Sequence, residues 1–192
     1  MMIWFLARGA GISAFAALSV ATGVGAMTAR RTGYLERRVL LQYLHRAAAL
    51  SGVLLLAIHI GSLLLDSYAH VGVLGATIPF ASGYRPAAVA LGVTAMYLMV
   101  AVAVTGMLRS RFARSERAVR LWRAIHVCSY GAWALSAWHF LVVGTDSGLW
   151  WARAVLFGGI ATVGCGVAAR LADRRLVTTR RVAPLGTTGA VR

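Results

Sequence analysis

The chain alternates long apolar stretches with short connections that are rich in arginine. A transmembrane helix needs about 20 mainly apolar residues, because the hydrocarbon core of a bilayer is about 30 Å thick. Five stretches meet this requirement, at about residues 4–27, 40–65, 87–108, 120–143 and 151–170. The pattern therefore predicts an all-α integral membrane protein built as a bundle of five transmembrane helices.

The composition excludes an ordinary soluble domain and a nucleic-acid-binding protein. Of the 192 residues, 59% are apolar and only 13% are charged, whereas soluble domains have about 25% charged residues. The formal net charge of +15 would suit a nucleic-acid binder, but such a protein needs far more polar surface than this chain has. The charge is better explained as a topology signal of a membrane protein.

The arginines are unevenly distributed between the two sides of the predicted bundle. Seventeen of the 20 fall in the connections and the tail on one side, and only Arg8, Arg85 and Arg153 fall on the other. The positive-inside rule then places the N-terminus outside and the C-terminus in the cytoplasm. We expect a multi-pass protein of the cell inner (plasma) membrane. Residues 1–171 would form one membrane domain, and the basic tail 172–192 is predicted to be disordered or pressed against anionic lipid.

The first stretch can also be interpreted as a signal peptide, because residues 26–29 loosely resemble a cleavage site. Its flanks argue for a membrane span. Trp4, Phe5 and Leu6 come before its single basic residue, and four arginines follow it. We therefore expect this stretch to remain as the first helix.

Four of the five histidines lie inside predicted spans, where ionisable side chains are costly and indicate function. His45 and His59 are 14 residues apart on the second span, and His126 and His139 are 13 apart on the fourth. These two spans run in the same direction. His45 and His126 (the first pair) therefore share a depth near the cytoplasmic face, about 20 Å from His59 and His139 (the second pair) near the outer face.

Two neutral imidazoles that face each other across a bundle are suitable axial ligands for a b-type haem, which needs no covalent attachment. The helical phase supports this on the second span, since 14 residues return to within about 40° of the starting direction. Thirteen residues leave His126 and His139 about 140° apart on an ideal helix, so we expect a bulge or kink near Gly131, or a lateral offset of the two haems.

Other interpretations of the histidines stay open at this point. Each imidazole alone could simply hydrogen-bond to a neighbouring helix. The four together also suit a His-lined proton or metal-ion transporter. A third possibility is a haem-containing membrane anchor of a partner oxidoreductase. The transporter leaves the equal depths of the two pairs as a coincidence, and redox inactivity despite bound haem would favour the anchor.

With its paired histidines 14 and 13 apart on two parallel helices, the chain resembles the ferric reductase-like transmembrane domain. This superfamily includes the NADPH oxidases, the ferric-chelate reductases and the haem membrane subunit of the bacterial periplasmic methionine sulfoxide reductase system. Leu44-His45-Arg46 and the segment from Trp122 to His126 are similar to the bacterial members. The resemblance implies two b-type haems, the inner one on His45 and His126 and the outer one on His59 and His139.

Haem propionates need cationic partners. Arg46 and Arg123 adjoin the first pair in sequence and are candidates for the inner haem, with Arg109 as a further candidate. Arg85, in the outer connection 66–86 with His70 and Tyr84, is a candidate for the outer haem or for the terminal acceptor. The roles of His70 and of this connection stay open.

The chain differs from the larger members of the superfamily, because no Gly-rich dinucleotide fingerprint flanks the spans. We therefore expect an oxidoreductase component that lacks its own flavin or NAD(P)H domain and takes electrons from a partner protein or a membrane quinol. The predicted function is a di-haem b-type cytochrome that passes electrons to an acceptor on the outer side. The sequence leaves open the donor, the acceptor, the partner subunit, the oligomeric state and whether one or two haems bind.

Overall fold

The computed structural model describes residues 2–28, 35–66, 70–113 and 115–182, and its regular structure in these ranges is entirely helical. The helices, in chain order, are α1 (Met2–Thr28), α2 (Leu35–Leu65), α3 (Gly72–Thr77), α4 (Pro86–Met107), α5 (Arg109–Phe112), α6 (Glu116–Val143) and α7 (Trp150–Val182). The predicted all-α class is therefore confirmed in these ranges, and a long helix coincides with each of the five predicted apolar stretches.

Four helical segments are long and apolar enough to cross a membrane. They are α1, α2, α4 and the Trp150–Asp173 part of α7. Helix α6 has 28 residues and is long enough, but it is less apolar than these four because it carries two histidines and three tryptophans. This set of helices is consistent with a membrane protein.

Helix α7 extends past the predicted boundary at residue 170. It continues as helix to Val182, so the first part of the tail predicted to be disordered is helical. Residues 170–175 are arginine, leucine, alanine and aspartate, mostly good helix formers, and the first proline comes only at Pro184. The rest of the tail, residues 183–192, lies outside the described residues. Three of the seventeen arginines counted on the predicted cytoplasmic side, Arg30, Arg31 and Arg114, also lie outside them.

Helix α1 is the centre of the bundle. Eleven of its 27 residues are buried, compared with two in α2 and one in α6. It packs against α2 and α7 and more lightly against α6, which packs mainly on α4. Small residues allow the close approach of α1 and α7, since a Cβ built on Gly23 would lie 2.6 Å from the carbonyl oxygen of Thr162.

Gly52 serves helix packing. A Cβ built there would lie 2.7 Å from the Leu18 side chain, so the residue allows α2 to approach α1 midway between the two histidine levels. Leu18 forms a small core with Met99 and Ala132, from α4 and α6. The two levels are therefore separated by packed side chains.

The connection between α2 and α4 contains the short helix α3, which packs against both. The Tyr97 hydroxyl of α4 donates a hydrogen bond to the Thr77 carbonyl at 2.7 Å and ties this helix to the bundle. Helix α4 then begins with Pro86 at its first turn, where a missing backbone N–H costs nothing. At the start of α6, Ser115 caps the helix by accepting a hydrogen bond from the Ala118 backbone N–H.

Candidate haem-binding site

The first pair meets at the N-terminal ends of α2 and α6. The centres of the His45 and His126 rings are 6.1 Å apart, and the ring planes are inclined by 67°. The Nδ1–H of His45 donates a hydrogen bond to the Ala21 carbonyl of α1, at 2.8 Å. Since a carbonyl only accepts, Nδ1 carries the proton, and the Nε2 of the neutral ring keeps its lone pair.

The second pair lines one cavity about 14 residues further along both helices. His59 Nδ1–H donates to the Ala7 carbonyl at 2.7 Å, and His139 Nδ1–H donates to the Ala88 carbonyl at 2.9 Å. Both imidazoles lie in the wall of a cavity of about 440 Å³. Helices α2 and α6 therefore run in the same direction, with the histidines at two levels.

Each of these three rings lies close against a glycine of the helix that supplies its carbonyl. A Cβ built on Gly11 would lie 2.8 Å from His59, one on Gly25 would lie 3.0 Å from His45, and one on Gly92 would lie 2.7 Å from His139. The accepting carbonyl belongs in each case to the alanine four residues earlier. That carbonyl also accepts the helical hydrogen bond from the glycine N–H. Because glycine has no side chain, the second lone pair of the carbonyl oxygen is accessible to the imidazole.

His126 is the exception. The glycine opposite it is Gly106, but a Cβ there would lie 3.8 Å from the ring, an ordinary contact distance. The carbonyl four residues earlier, that of Val102, accepts instead from the Thr105 hydroxyl at 3.1 Å. His126 Nδ1 is buried and has no hydrogen-bond partner among the described residues. The first pair is thus fixed by a carbonyl on one side only.

Helix α6 is α-helical at every residue from Glu116 to Val143, so the bulge expected near Gly131 does not occur. The 13-residue spacing is accommodated at the first pair, where His126 is withdrawn from α4. The ring is supported instead by Trp122, one helical turn earlier, whose indole stacks on it with centres 5.1 Å apart and planes inclined by 22°.

The cavity is apolar along most of its wall and polar at one end. Its apolar lining includes Phe15, Leu56, Val93 and Met96. At the polar end, the Arg8 guanidinium pairs with the Asp146 carboxylate, with the Nε–Oδ2 contact at 2.8 Å and a second, shorter contact. This ion pair ties α1 to the connection between α6 and α7.

The pairing of Arg8 with Asp146 at the cavity wall was not predicted from the sequence. Arg85, the predicted partner of an outer propionate, donates to the Val142 carbonyl at the end of α6 at 2.5 Å and lies over the Tyr84 ring. Arg8 and Tyr84, rather than Arg85, are in the cavity wall.

Near the first pair, the structure brings Arg109 to the Trp122 ring, with its guanidinium carbon 5.3 Å from the ring centre. Arg46 and Arg123 have exposed side chains on α2 and α6, and their predicted role in binding propionates stays a prediction. His70 lies in the connection between α2 and α3, with a backbone φ of 49°.

The described residues contain no group of three or more His, Cys, Asp or Glu side chains arranged to hold a metal ion. The two levels each offer a pair of imidazoles. A pair falls short of the three or four protein ligands of a zinc site.

One sequence signal for the supporting helices was missed. Gly11 and Gly25 are 14 residues apart on α1, and Gly92 and Gly106 are 14 apart on α4. This is the spacing of His45 and His59, on the helix that packs against α1. Equal spacings on neighbouring antiparallel helices indicate facing positions, and this repeat would have pointed to the imidazole supports.

Residues 2–146 match the sequence profile of a protein family that is described as a domain of unknown function (DUF8596). The matched range contains all four helix-borne histidines, the three accepting alanines and the Arg8–Asp146 pair. No curated protein and no solved structure matches the chain.

Proposed function

We propose that this chain, which belongs to the DUF8596 family, is a di-haem b-type membrane cytochrome. It carries electrons across the inner (plasma) membrane from a quinol or a partner protein to an acceptor on the outer side. In this proposal α6 crosses the membrane as the fourth of five spans, the N-terminus is outside and the C-terminus is cytoplasmic, as the arginine distribution indicates. The resemblance to ferric reductase-like membrane domains supports the same function.

The observation that carries the proposal is the fixed orientation of the imidazoles. Three of the four donate Nδ1–H to a backbone carbonyl, at 2.7–2.9 Å. A metal-bound histidine almost always donates its other ring N–H in this way, because the hydrogen bond fixes the tautomer and raises the basicity of the ligand. Simple helix-to-helix hydrogen bonding gives no reason for three imidazoles on two helices to share one tautomer and one kind of support.

The distance within the first pair fits two ligands on one iron. Imidazole nitrogens bind transition metals at about 2.0–2.1 Å, and adding a ring radius on each side places the centres of two opposite rings about 6 Å apart. The observed distance between His45 and His126 is 6.1 Å. His45 and His126 would hold the inner haem.

The cavity of the second pair has the size of a cofactor pocket. Its volume of about 440 Å³ lies within the range of about 300–1,000 Å³ that is typical of such pockets. Apolar walls suit the macrocycle of a haem, and the Arg8–Asp146 ion pair lies at the polar end. His59 and His139 would hold the outer haem.

A bound haem supplies a one-electron couple of its iron at each level. The chain's own contribution is to hold the two levels in a row, fix three of the four imidazoles in one tautomer and keep water from the interior. The packed residues between the levels, Leu18, Met99 and Ala132, keep the two sites apart at a fixed distance. The chemistry at the outer face is set by whichever acceptor docks there.

The test is haem stoichiometry in purified protein. We expect a red preparation with b-type bands in the reduced-minus-oxidised spectrum and two haems per chain. His59→Ala should lose one haem, and His45→Ala should lose the other. His70→Ala is the matched control, because this fifth histidine lies outside the two paired levels, and it should retain both.

Electron transfer is tested in vesicles that contain the purified chain. A quinol supplied on the cytoplasmic side should reduce a membrane-impermeant acceptor on the other side, and His59→Ala should abolish this reaction. A protein that stays colourless after haem is supplied would refute the proposal. Equal haem loss in His70→Ala and His59→Ala would also contradict it.

A further inference from the structure

Trp122 has a buried indole N–H without an acceptor. Its Nε1 is inaccessible to solvent and has no hydrogen-bond partner among the described residues, and the same holds for the neighbouring His126 Nδ1. An indole nitrogen only donates, so it needs an oxygen or another acceptor. Leaving such a group buried and unpaired costs about 1–3 kcal/mol. The arrangement indicates that an acceptor belongs beside Trp122.

The surroundings favour a negatively charged acceptor. The Arg109 guanidinium lies 5.3 Å from the centre of the Trp122 ring. The nearest acidic residue along α6, Glu116, is directed to Arg120, at 3.6 Å, and both side chains are strongly exposed. An N–H donor beside a guanidinium is the combination that binds a carboxylate.

Trp122 is also placed to reach the edge of a group held by the first pair. It precedes His126 by one helical turn, about 6 Å along the α6 axis. Its stacking on the imidazole, at 5.1 Å, fixes the direction of the indole. A group bound by His45 and His126 would present its rim to this side chain, and its face to the imidazoles.

We propose that Trp122 and Arg109 bind a carboxylate of the inner haem. The assignment rests on the proposed function and goes beyond it, because it gives Trp122 a binding role and makes Arg109 the cation of the inner site. Anchoring at the membrane interface is the ordinary role of a tryptophan at a span end. Trp150 fits that role with 81% of its surface exposed, whereas the buried Nε1 of Trp122 does not.

The experiment compares haem with its dimethyl ester, which lacks the carboxylates. Both are titrated into apoprotein in a His59→Ala background, so that the inner site is measured alone, and the reduction midpoint potential is recorded for each complex. Trp122→Phe keeps the stacked ring and removes only the N–H. Trp138→Phe on the same helix, where the side chain is 59% exposed, is the matched control.

We expect Trp122→Phe to weaken haem binding about 10-fold, since a hydrogen bond to a charged group is lost. Arg109→Gln should weaken it by a similar factor and lower the midpoint potential, because a cation near the iron favours its reduced form. Neither substitution should affect binding of the dimethyl ester. Trp138→Phe and Arg111→Gln, on the same two helices, should change nothing.

Equal weakening with haem and with the ester would overturn the assignment, since the substitution would then act through packing. Unchanged haem binding together with slower quinol oxidation would also overturn it and assign the pair to a quinone carbonyl. A parent chain that binds neither compound would refute the proposed function and this assignment with it. If both variants bind haem with the affinity of the parent chain, the assignment is wrong and the proposed function is unaffected.

Discussion

Gly92 should be indispensable for the outer site, whereas Gly106, on the same helix, should not. A Cβ built on Gly92 would lie 2.7 Å from Cε1, 2.8 Å from Nδ1 and 2.9 Å from Nε2 of His139. The same Cβ on Gly106 would lie 3.8 Å from His126. Gly92→Ala therefore forces the imidazole away from α4, and Gly106→Ala does not.

The size of the effect follows from these distances. Optimal carbon–carbon contacts are about 3.5–4.0 Å, so the His139 ring must retreat by about 1 Å. Its hydrogen bond to the Ala88 carbonyl is 2.9 Å long and would be lost by this displacement. Loss of such a support typically lowers metal affinity about 10–100-fold. A change in backbone propensity does not account for this loss of affinity, because alanine stabilises a helix interior by about 1 kcal/mol relative to glycine.

The assay is haem titration into the apoprotein variants, with the two sites distinguished by their midpoint potentials. Gly92→Ala should lower the affinity of the outer site about 10–100-fold and leave the inner site unchanged. Gly106→Ala should leave both sites close to the parent. Equal losses in the two variants, or a loss at the inner site alone in Gly92→Ala, would refute the reasoning from the imidazole contacts.

Two further predictions concern the packing around the sites. Arg8→Gln and Asp146→Asn should each destabilise the chain by about 1–3 kcal/mol, because Asp146 is only 7% exposed and its partner removes the cost of burying the charge. The double variant should lose less than the sum of the two single losses, as thermal unfolding in detergent can measure. Strictly additive losses would contradict a coupled pair. Gly23→Val should separate α1 from α7 and lower the unfolding temperature, because a Cβ at this position already lies 2.6 Å from the Thr162 backbone. Gly158→Val should be tolerated, because a Cβ there has no neighbour within 4 Å. Equal shifts of the unfolding temperature in the two variants would contradict the packing described for these helices.

The helices and the two histidine levels could be predicted from the sequence, because both depend on periodicity and length. Apolar stretches of at least about 20 residues correspond to the long helices. The pairing of His45 with His126 followed from counting residues along two parallel helices, and the structure brings these rings together. The length of a helix and the spacing of residues along it can both be counted in the sequence.

The contacts of the arginines could not be predicted, because they depend on how connections fold back on the bundle. Arg85 was the natural candidate for the outer site by its position in the chain. The left-handed backbone at this residue, with φ of 39°, accompanies a side chain directed to the Val142 carbonyl instead. Arg8 reaches the cavity because Asp146 meets it from a connection 138 residues away in sequence. Neither fact has a local signal.

The asymmetry of the two levels has a simple origin in the spacings of neighbouring helices. On α1 and α2 the glycines and the histidines are both 14 residues apart, so two imidazoles meet two glycines. On α4 the glycines are 14 apart, but the histidines of α6 are 13 apart, a mismatch of one residue, or about 1.5 Å and 100°. If His139 is seated on Gly92, His126 cannot also be seated on Gly106, and its Nδ1 does not reach the Val102 carbonyl. That is why the stacked Trp122, rather than a helix carbonyl, supports the fourth imidazole.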